Sequence, residues 1–268
     1  MEQLFSYLEF LGITILFLVI SLLIFLLPFY FLQKIVLNQS VKAFGHPGIY
    51  ISGLLGIPFH ELTHYVFCKL FNHRVEKVKL ISFSNYSPVK GWVTHTYDKR
   101  SHYQRFGLFF IGFAPLIGGV LLIYYLVSNF IVPVNVNQIP NDTVSFSNIL
   151  SPFWYKYFSE YINTTSLKWN SSVLFWVLHY VLFSVAVYSV PSSEDVKNAR
   201  ESLTYLVILA VIVTAILYYF GYSSDLTQLL PISLYFFHFI TIVLVPIFSF
   251  TFLYLLLTIS ISMLRRLF

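Results

Sequence analysis

The segment from His60 to His64 reads His-Glu-Leu-Thr-His within a run of apolar residues. On a helix, residues four apart lie on one face, so both imidazoles can reach one ion. Neutral imidazole is a good ligand for zinc, and Glu61 beside it can take a proton from a water molecule that the metal activates. The pattern therefore predicts hydrolytic chemistry, with His60 and His64 as zinc ligands and Glu61 as the catalytic base.

The elements that must position these residues are membrane helices. The chain has 268 residues, of which 57% are hydrophobic and 10% charged, which argues against an ordinary soluble globule. Apolar runs of about 20 residues can cross a bilayer as helix. They predict an all-α polytopic membrane protein, a single integral membrane domain over residues 1–268. Six spans are expected, at about residues 10–32, 49–71, 106–131, 172–191, 202–222 and 231–262.

The charge distribution predicts the orientation in the membrane. Most of the 16 lysine and arginine residues flank one side of the predicted spans. Short loops rich in Lys and Arg stay in the cytoplasm, so this side is cytoplasmic and six crossings place both termini there. The excess of basic over acidic residues is then explained by the membrane topology, with the lipid bilayer as partner. No nucleic-acid binding is predicted. The short loops favour a prokaryotic plasma membrane.

Two polar stretches connect the predicted spans. Residues 73–104 contain two segments of alternating apolar and polar residues, 75–80 and 92–97, separated by turn-forming residues. They predict a small β-hairpin on the cytoplasmic side between helices two and three, with a strand edge that an unwound substrate segment could join. Residues 133–170, rich in Asn and Ser and interrupted by prolines, predict an irregular extracytoplasmic loop.

Two prolines lie inside predicted spans, where they should interrupt the helix. Pro58 precedes His60 by two residues and should loosen the helix near Leu54, which opens space for water beside the metal. Pro115 should deprive the carbonyl of Ile111 of its helical donor, which a membrane tolerates only where a protein group or cavity water replaces that donor. The segment around Pro115 is therefore an expected wall of the site, although its glycines are equally typical of helix packing.

A catalytic zinc site usually has three protein ligands and one open position. The chain has one cysteine, Cys68, which excludes a cysteine-based zinc site. The motif lies near the cytoplasmic end of its span, so the third ligand should come from a cytoplasmic helix end. Asp195, which follows the helix-interrupting Pro191, is the preferred ligand, and Glu194 is the close alternative. Both acids could instead simply occupy the first turn of a helix.

The H-E-L-T-H motif in one membrane helix, with an aspartate about 130 residues later near the cytoplasmic end of another, resembles the site-2 protease group of intramembrane zinc metalloproteases. The resemblance covers about residues 49–200, the expected zinc-site core. It implies that His60, His64 and Asp195 hold Zn²⁺ and that Glu61 is the catalytic base. It also implies that the substrate is a membrane-spanning segment of another protein. The family's second motif, N-x-x-P-x-x-x-L-D-G, is reduced here to Pro191 and Asp195, at a spacing one residue shorter.

The remaining histidines are predicted to lie outside the metal site. Four histidines lie in loops or in the hairpin and are expected at the surface: His46, His73, His95 and His102. Of these, His95 is the strongest candidate for a functional role. His179 and His238 lie inside apolar spans, where each is a candidate proton relay or a partner in a hydrogen bond between helices.

The leading hypothesis is an intramembrane zinc metalloprotease that hydrolyses a peptide bond in or near a transmembrane segment of a membrane protein or peptide. The alternative is a membrane protein that binds zinc without proteolysis, or a transporter whose His and Glu side chains form an ion pathway. Oligomeric state is left open by the sequence.

Overall fold

The computed structural model describes residues 2–83, 90–131, 172–221 and 247–265, together with residues 159 and 163. In these parts the chain is mostly helical and carries one two-stranded antiparallel sheet. The predicted helical class with a small hairpin is therefore confirmed at this level. The predicted loop at 133–170 lies outside the described residues, apart from those two positions.

The elements follow one another in this order along the chain. The helices are α1 (Glu2–Phe44), α2 (Gly48–Gly53), α3 (Gly56–Leu70), α4 (His102–Gly112), α5 (Ala114–Leu126), α6 (Val173–Tyr188), α7 (Ser193–Arg200), α8 (Leu203–Tyr219) and α9 (Ile247–Arg265). The strands β1 (Arg74–Lys79) and β2 (Trp92–Thr96) lie between α3 and α4, and a π-helical turn (Val127–Ile131) follows α5.

Length and hydropathy identify between one and three candidate membrane spans among the described residues. Helix α9 is long and apolar enough to cross a bilayer by itself. Two bent pairs qualify if each is one span: α4 with α5 and its π-helical turn, bent by 57°, and α6 with α7, bent by 56°. The sixth predicted span begins in residues 222–246, which lie outside the described part.

Two of the predicted spans are broken where the prolines predict a break. Residues 54 and 55 separate α2 from α3, because Pro58 has no N–H to bond the carbonyl of Leu54. Phe113 separates α4 from α5, two residues before Pro115. Each break leaves backbone N–H and C=O groups without their helical hydrogen-bond partners. Neighbouring helices then have to supply those partners.

Helix α1 is longer than the predicted span at residues 10–32. Apolar character marks only the part of a helix suited to hydrocarbon, whereas α1 continues through polar residues to Phe44. It ends before Gly45, whose φ of 70° is the left-handed conformation typical of a residue just past a helix end.

The hairpin is antiparallel and contains one irregularity. Val75 of β1 pairs with His95 of β2 and Lys77 pairs with Thr94, so Glu76 is an extra residue in β1. Such a bulge bends the strand and changes the direction of nearby side chains. The predicted hairpin is confirmed, and its turn at residues 84–89 lies outside the described part.

Helix α3 lies between α5 and α6, and close contact with α6 depends on glycine. The backbone N–H of Gly56 donates to Oγ of Ser184 at 2.8 Å, and that hydroxyl donates to the carbonyl of Ser52 at 2.8 Å. A Cβ at position 56 would overlap the carbonyl oxygen of Ser184. At the break before α3, the hydroxyl of Ser184 therefore bonds the freed backbone groups. This contact requires glycine at position 56, because any side chain there would prevent the close approach.

Gly56→Ala is expected to destabilise the protein, because the added methyl group forces α3 away from α6. Overpacking of this kind costs about 1–3 kcal/mol, which should lower the unfolding temperature in detergent by several degrees. The matched control is Gly12→Ala, since a Cβ at Gly12 meets no atom within 4 Å. Equal unfolding temperatures for the two variants would contradict the proposed packing.

Candidate metal centre

The two histidines of α3 face the same point. Their ring centroids lie 4.8 Å apart, and Nε2 of His60 lies 3.1 Å from Nε2 of His64. The side chains are 14% and 9% exposed, respectively. Helical spacing accounts for this approach, since residues four apart lie one above the other.

Backbone carbonyls orient both rings. Nδ1 of His60 donates to the carbonyl of Tyr188 at 2.6 Å, and Nδ1 of His64 donates to the carbonyl of Ile111 at 2.8 Å. A carbonyl can only accept, so in the neutral rings the proton is on Nδ1 and the lone pair is on Nε2. The two lone pairs are therefore directed at one another across 3.1 Å.

Helix ends make these two carbonyls available. Pro115 removes the helical donor of the Ile111 carbonyl, and the imidazole of His64 takes the place of that donor. Tyr188 is the last residue of α6, which stops three residues before Pro191, and its carbonyl accepts from His60. Pro115 thus frees the first acceptor, and the end of α6 frees the second, because the N–H of Ser192 donates to Asp195 and not to Tyr188.

Asp195 reaches the histidines from the first turn of α7. Its Oδ1 lies 3.3 Å from Nε2 of His64, and its Oδ2 lies 3.7 Å from Nε2 of His60. The same carboxylate accepts from the N–H of Ser192 at 2.7 Å, and Oγ of Ser192 accepts from the N–H of Asp195, so the two form a capping box. The helix cap therefore fixes the direction in which the carboxylate points.

Glu194, the alternative third ligand, points elsewhere. Its side chain is 76% exposed and pairs with Lys197 at 3.8 Å. One residue along a helix rotates a side chain by about 100°, so Asp195 and Glu194 cannot both face the histidines. The structure brings Asp195 to the histidines and leaves Glu194 at the exposed rim of the cavity.

The three side chains together fit a metal ion. Their ligand atoms all lie within 4.8 Å of one another. Two nitrogen lone pairs and a carboxylate that converge in this way repel one another unless a proton or a cation lies among them. Imidazoles that donate through Nδ1 to a carbonyl while Nε2 stays free are the usual arrangement around a protein-bound metal.

Glu61 shares a cavity of about 620 Å³ with these three residues. It is 8% exposed, and no hydrogen bond from the described part of the chain reaches its carboxylate. A Cβ at Gly91 would lie 2.6 Å from Cγ of Glu61, so the absence of a side chain at that position makes room for the acid. Glu61 is therefore available to exchange a proton with a molecule in the cavity.

Strand β2 forms one wall of this cavity. The lining includes five consecutive residues, from Gly91 to His95. Successive side chains of a strand point to opposite faces, so five in a row indicate that the edge of the strand borders the cavity. The opposite edge of β2 is the one that pairs with β1.

The surface prediction is wrong for His73. His73 is 3% exposed, because it follows α3 directly and packs beneath α4, where its Nε2 donates to the carbonyl of Gln104 at 2.9 Å. His95 is half-buried, and its Nδ1 lies 3.0 Å from Nδ1 of His73. Burial lowers the pKa of His73, and burial with the neighbouring histidines lowers the pKa of His95 to about 4. The polar, turn-rich sequence gives no sign of this burial.

The other histidines lie away from the metal centre. His46 and His102 are exposed, as predicted. His179 is buried in α6, where its Nδ1 donates to the carbonyl of Phe175 in the same helix, and the ring of Phe250 of α9 lies 6.1 Å away. His238 lies outside the described residues.

Comparison of the chain with protein-family models, with curated proteins and with solved structures gives no match. The assignment of the site therefore rests on its geometry and chemistry.

Gly112→Ala is expected to weaken metal binding by about 10-fold to 100-fold, the usual cost of disturbing groups that orient a ligand. A Cβ at Gly112 would lie 2.5 Å from the carbonyl oxygen of Asp195 and 2.9 Å from Cβ of Ala199, so it pushes the first turn of α7 away from α3. Zn²⁺ affinity is measured by competition with a chromogenic chelator.

The matched control is Gly107→Ala in the same helix, which places its methyl group against the ring of Phe71. It should bind Zn²⁺ as the native protein does. If both variants retained native affinity, the contact between α4 and α7 would have no role in placing Asp195.

Proposed function

We propose that this protein is an intramembrane zinc metalloprotease that hydrolyses a peptide bond in or near a transmembrane segment of another protein. The observation that carries the proposal is the convergence of His60, His64 and Asp195, with Glu61 in the same cavity. The resemblance of the H-E-L-T-H motif to the site-2 protease group supports the same reading.

The spacing of the ligand atoms suits zinc. Ligands at about 2.0–2.2 Å in a tetrahedral arrangement lie about 3.3–3.6 Å from one another. The two Nε2 atoms are 3.1 Å apart here. Nε2 of His64 lies 3.3 Å from Oδ1 of Asp195, and Nε2 of His60 lies 3.7 Å from the other carboxylate oxygen, Oδ2. Three protein ligands would leave a fourth position for water. Zinc held by His60, His64 and Asp195 would supply Lewis-acid chemistry, by lowering the pKa of a water molecule and polarising a carbonyl.

Glu61 has the position and the freedom to act as the base. It follows His60 directly, so its carboxylate leaves α3 beside the metal ligands and enters the cavity. It would take a proton from the attacking water and then give a proton to the nitrogen of the leaving amine. Its neighbour Gly91 keeps the cavity wide enough for the carboxylate to do both.

The edge of β2 offers a binding mode for the substrate. A peptide bond inside a helix is covered by its neighbours, so the segment around the cleaved bond has to unwind first. An unwound segment needs partners for its backbone N–H and C=O groups, and a strand edge that borders the cavity supplies them by β-augmentation.

A multi-pass membrane position fits the exposed apolar side chains. Helix α8 exposes large aliphatic residues along its length, including Val207, Ile212 and Ile216, and α9 exposes Phe252 and Leu257. Helices with such surfaces are suited to lipid. We place about six spans in a prokaryotic plasma membrane, with the hairpin and both termini on the cytoplasmic side, where most of the basic residues lie.

Glu61→Gln tests the chemistry. Labelled single-span peptides are reconstituted with the zinc-loaded protein in liposomes, and fragments are identified by mass spectrometry. Loss of the base should lower kcat by about 10²-fold to 10⁴-fold, while the zinc content stays at the native level because Glu61 is not a ligand.

The matched control is Glu194→Gln, at the rim of the cavity, whose side chain is 76% exposed and pairs with Lys197. It should cleave as the native protein does. Native rates in Glu61→Gln would contradict the mechanism. Zinc uptake into liposomes by a native protein that cleaves none of the peptides would favour the transporter instead.

A further inference from the structure

We propose that His95 binds the substrate, with its Nε2 accepting a hydrogen bond from a backbone N–H of the bound peptide, and that His73 is its positioning residue. The proposal rests on the proposed protease function and deepens it. It adds a residue outside the metal centre that recognises an extended peptide backbone.

A chain of hydrogen bonds sets the tautomer of His95. The carbonyl of Gln104 can only accept, so Nε2 of His73 carries a proton and Nδ1 of the neutral ring carries the lone pair. Nδ1 of His95, at 3.0 Å from that lone pair, must then be the donor. The remaining nitrogen of His95, Nε2, is left as an acceptor.

Local structure holds His73 in place for this role. Its backbone N–H donates to the carbonyl of Cys68 at 2.8 Å, which ties it to the end of α3. Its ring stacks on Tyr97, with centroids 5.3 Å apart and an interplanar angle of 22°. Gln104 is itself fixed, because its side chain donates to the carbonyl of Asn72 at 3.0 Å. The carbonyl of Gln104, the first acceptor in this series of hydrogen bonds, is therefore held in place by contacts with both α3 and α4.

His95 lies where a substrate backbone would pass. It lines the same cavity as His60, His64 and Glu61. Within the described residues its Nε2 has no hydrogen-bond partner, and the bulge at Glu76 in β1 lies opposite the step from Thr94 to His95. The bulge bends β1 at the point where it pairs with His95.

A backbone N–H is the donor that fits this acceptor. A peptide that adds to the edge of β2 presents backbone N–H groups along its length. The N–H groups that do not bond to β2 need another acceptor once the peptide is buried in the cavity. An imidazole with a fixed tautomer offers that acceptor without the cost of ordering a mobile group.

The tautomer is read directly by ¹⁵N NMR of the zinc-loaded protein with labelled histidine, with the signals of His95 assigned by their loss in His95→Gln. We expect a protonated Nδ1 and an unprotonated Nε2 on His95 at neutral pH. In His73→Phe, which removes the acceptor, the signals should shift toward a mixture of tautomers. A His95 that carries its proton on Nε2 in the native protein would overturn the proposal.

Substrate binding is measured in the Glu61→Gln background, by fluorescence anisotropy of labelled single-span peptides, so that it does not depend on cleavage. Adding His95→Phe should weaken binding by about 10-fold to 100-fold, the effect expected for a lost hydrogen bond in a desolvated site. Adding His95→Gln, which retains an acceptor, should recover most of the affinity. Zinc content should be unchanged in each variant.

The matched control is His46→Phe, at an exposed position in the loop before α2, which should bind peptide normally. Equal affinities for His95→Phe and the control, or no peptide binding at all, would overturn the role of His95. Failure of the proposed function has a different signature, in which the native protein does not cleave the peptides that the Glu61→Gln protein binds.

Discussion

Two backbone carbonyls, of Ile111 and Tyr188, accept hydrogen bonds from the Nδ1 atoms of His64 and His60. These bonds put both lone pairs on Nε2 and direct them at a single point, which Asp195 approaches from α7. Without them each ring could rotate or change its tautomer, and the three ligand atoms would not converge. The proposed metal site depends on this arrangement.

The carbonyl of Ile111 is free because Pro115 lacks the N–H that would bond it, and the carbonyl of Tyr188 is free because α6 ends at that residue. In a medium with little water a freed carbonyl must find another donor, which is costly for an ordinary helix bundle. Here one helix beside α3 is broken before Pro115 and another ends three residues before Pro191, and the imidazole N–H groups of His64 and His60 supply the donors. The second break also starts α7 with a capping box that aims Asp195. The same helix breaks thus orient the three side chains and border the cavity.

The local parts of this account could be predicted from the sequence. Residue spacing predicts the histidine pair, proline chemistry predicts the breaks near Leu54 and before Pro115, and alternation predicts the hairpin. Spacing alone left Asp195 and Glu194 as alternatives, because the helix cap that separates them depends on the geometry of the turn at Ser192. The burial of His73 beneath α4, and the strand edge that borders the cavity, depend on tertiary packing that no local pattern encodes.

The central claim is a three-ligand metal centre, and zinc content tests it most directly. The protein is purified in detergent without added metal, and zinc per chain is measured for the native sequence, His60→Ala and Asp195→Ala, with the exposed Glu194→Ala as control. We predict about one zinc in the native protein and in the control, and loss from both ligand variants. Full retention of zinc by Asp195→Ala, or a folded native protein without zinc, would contradict the account.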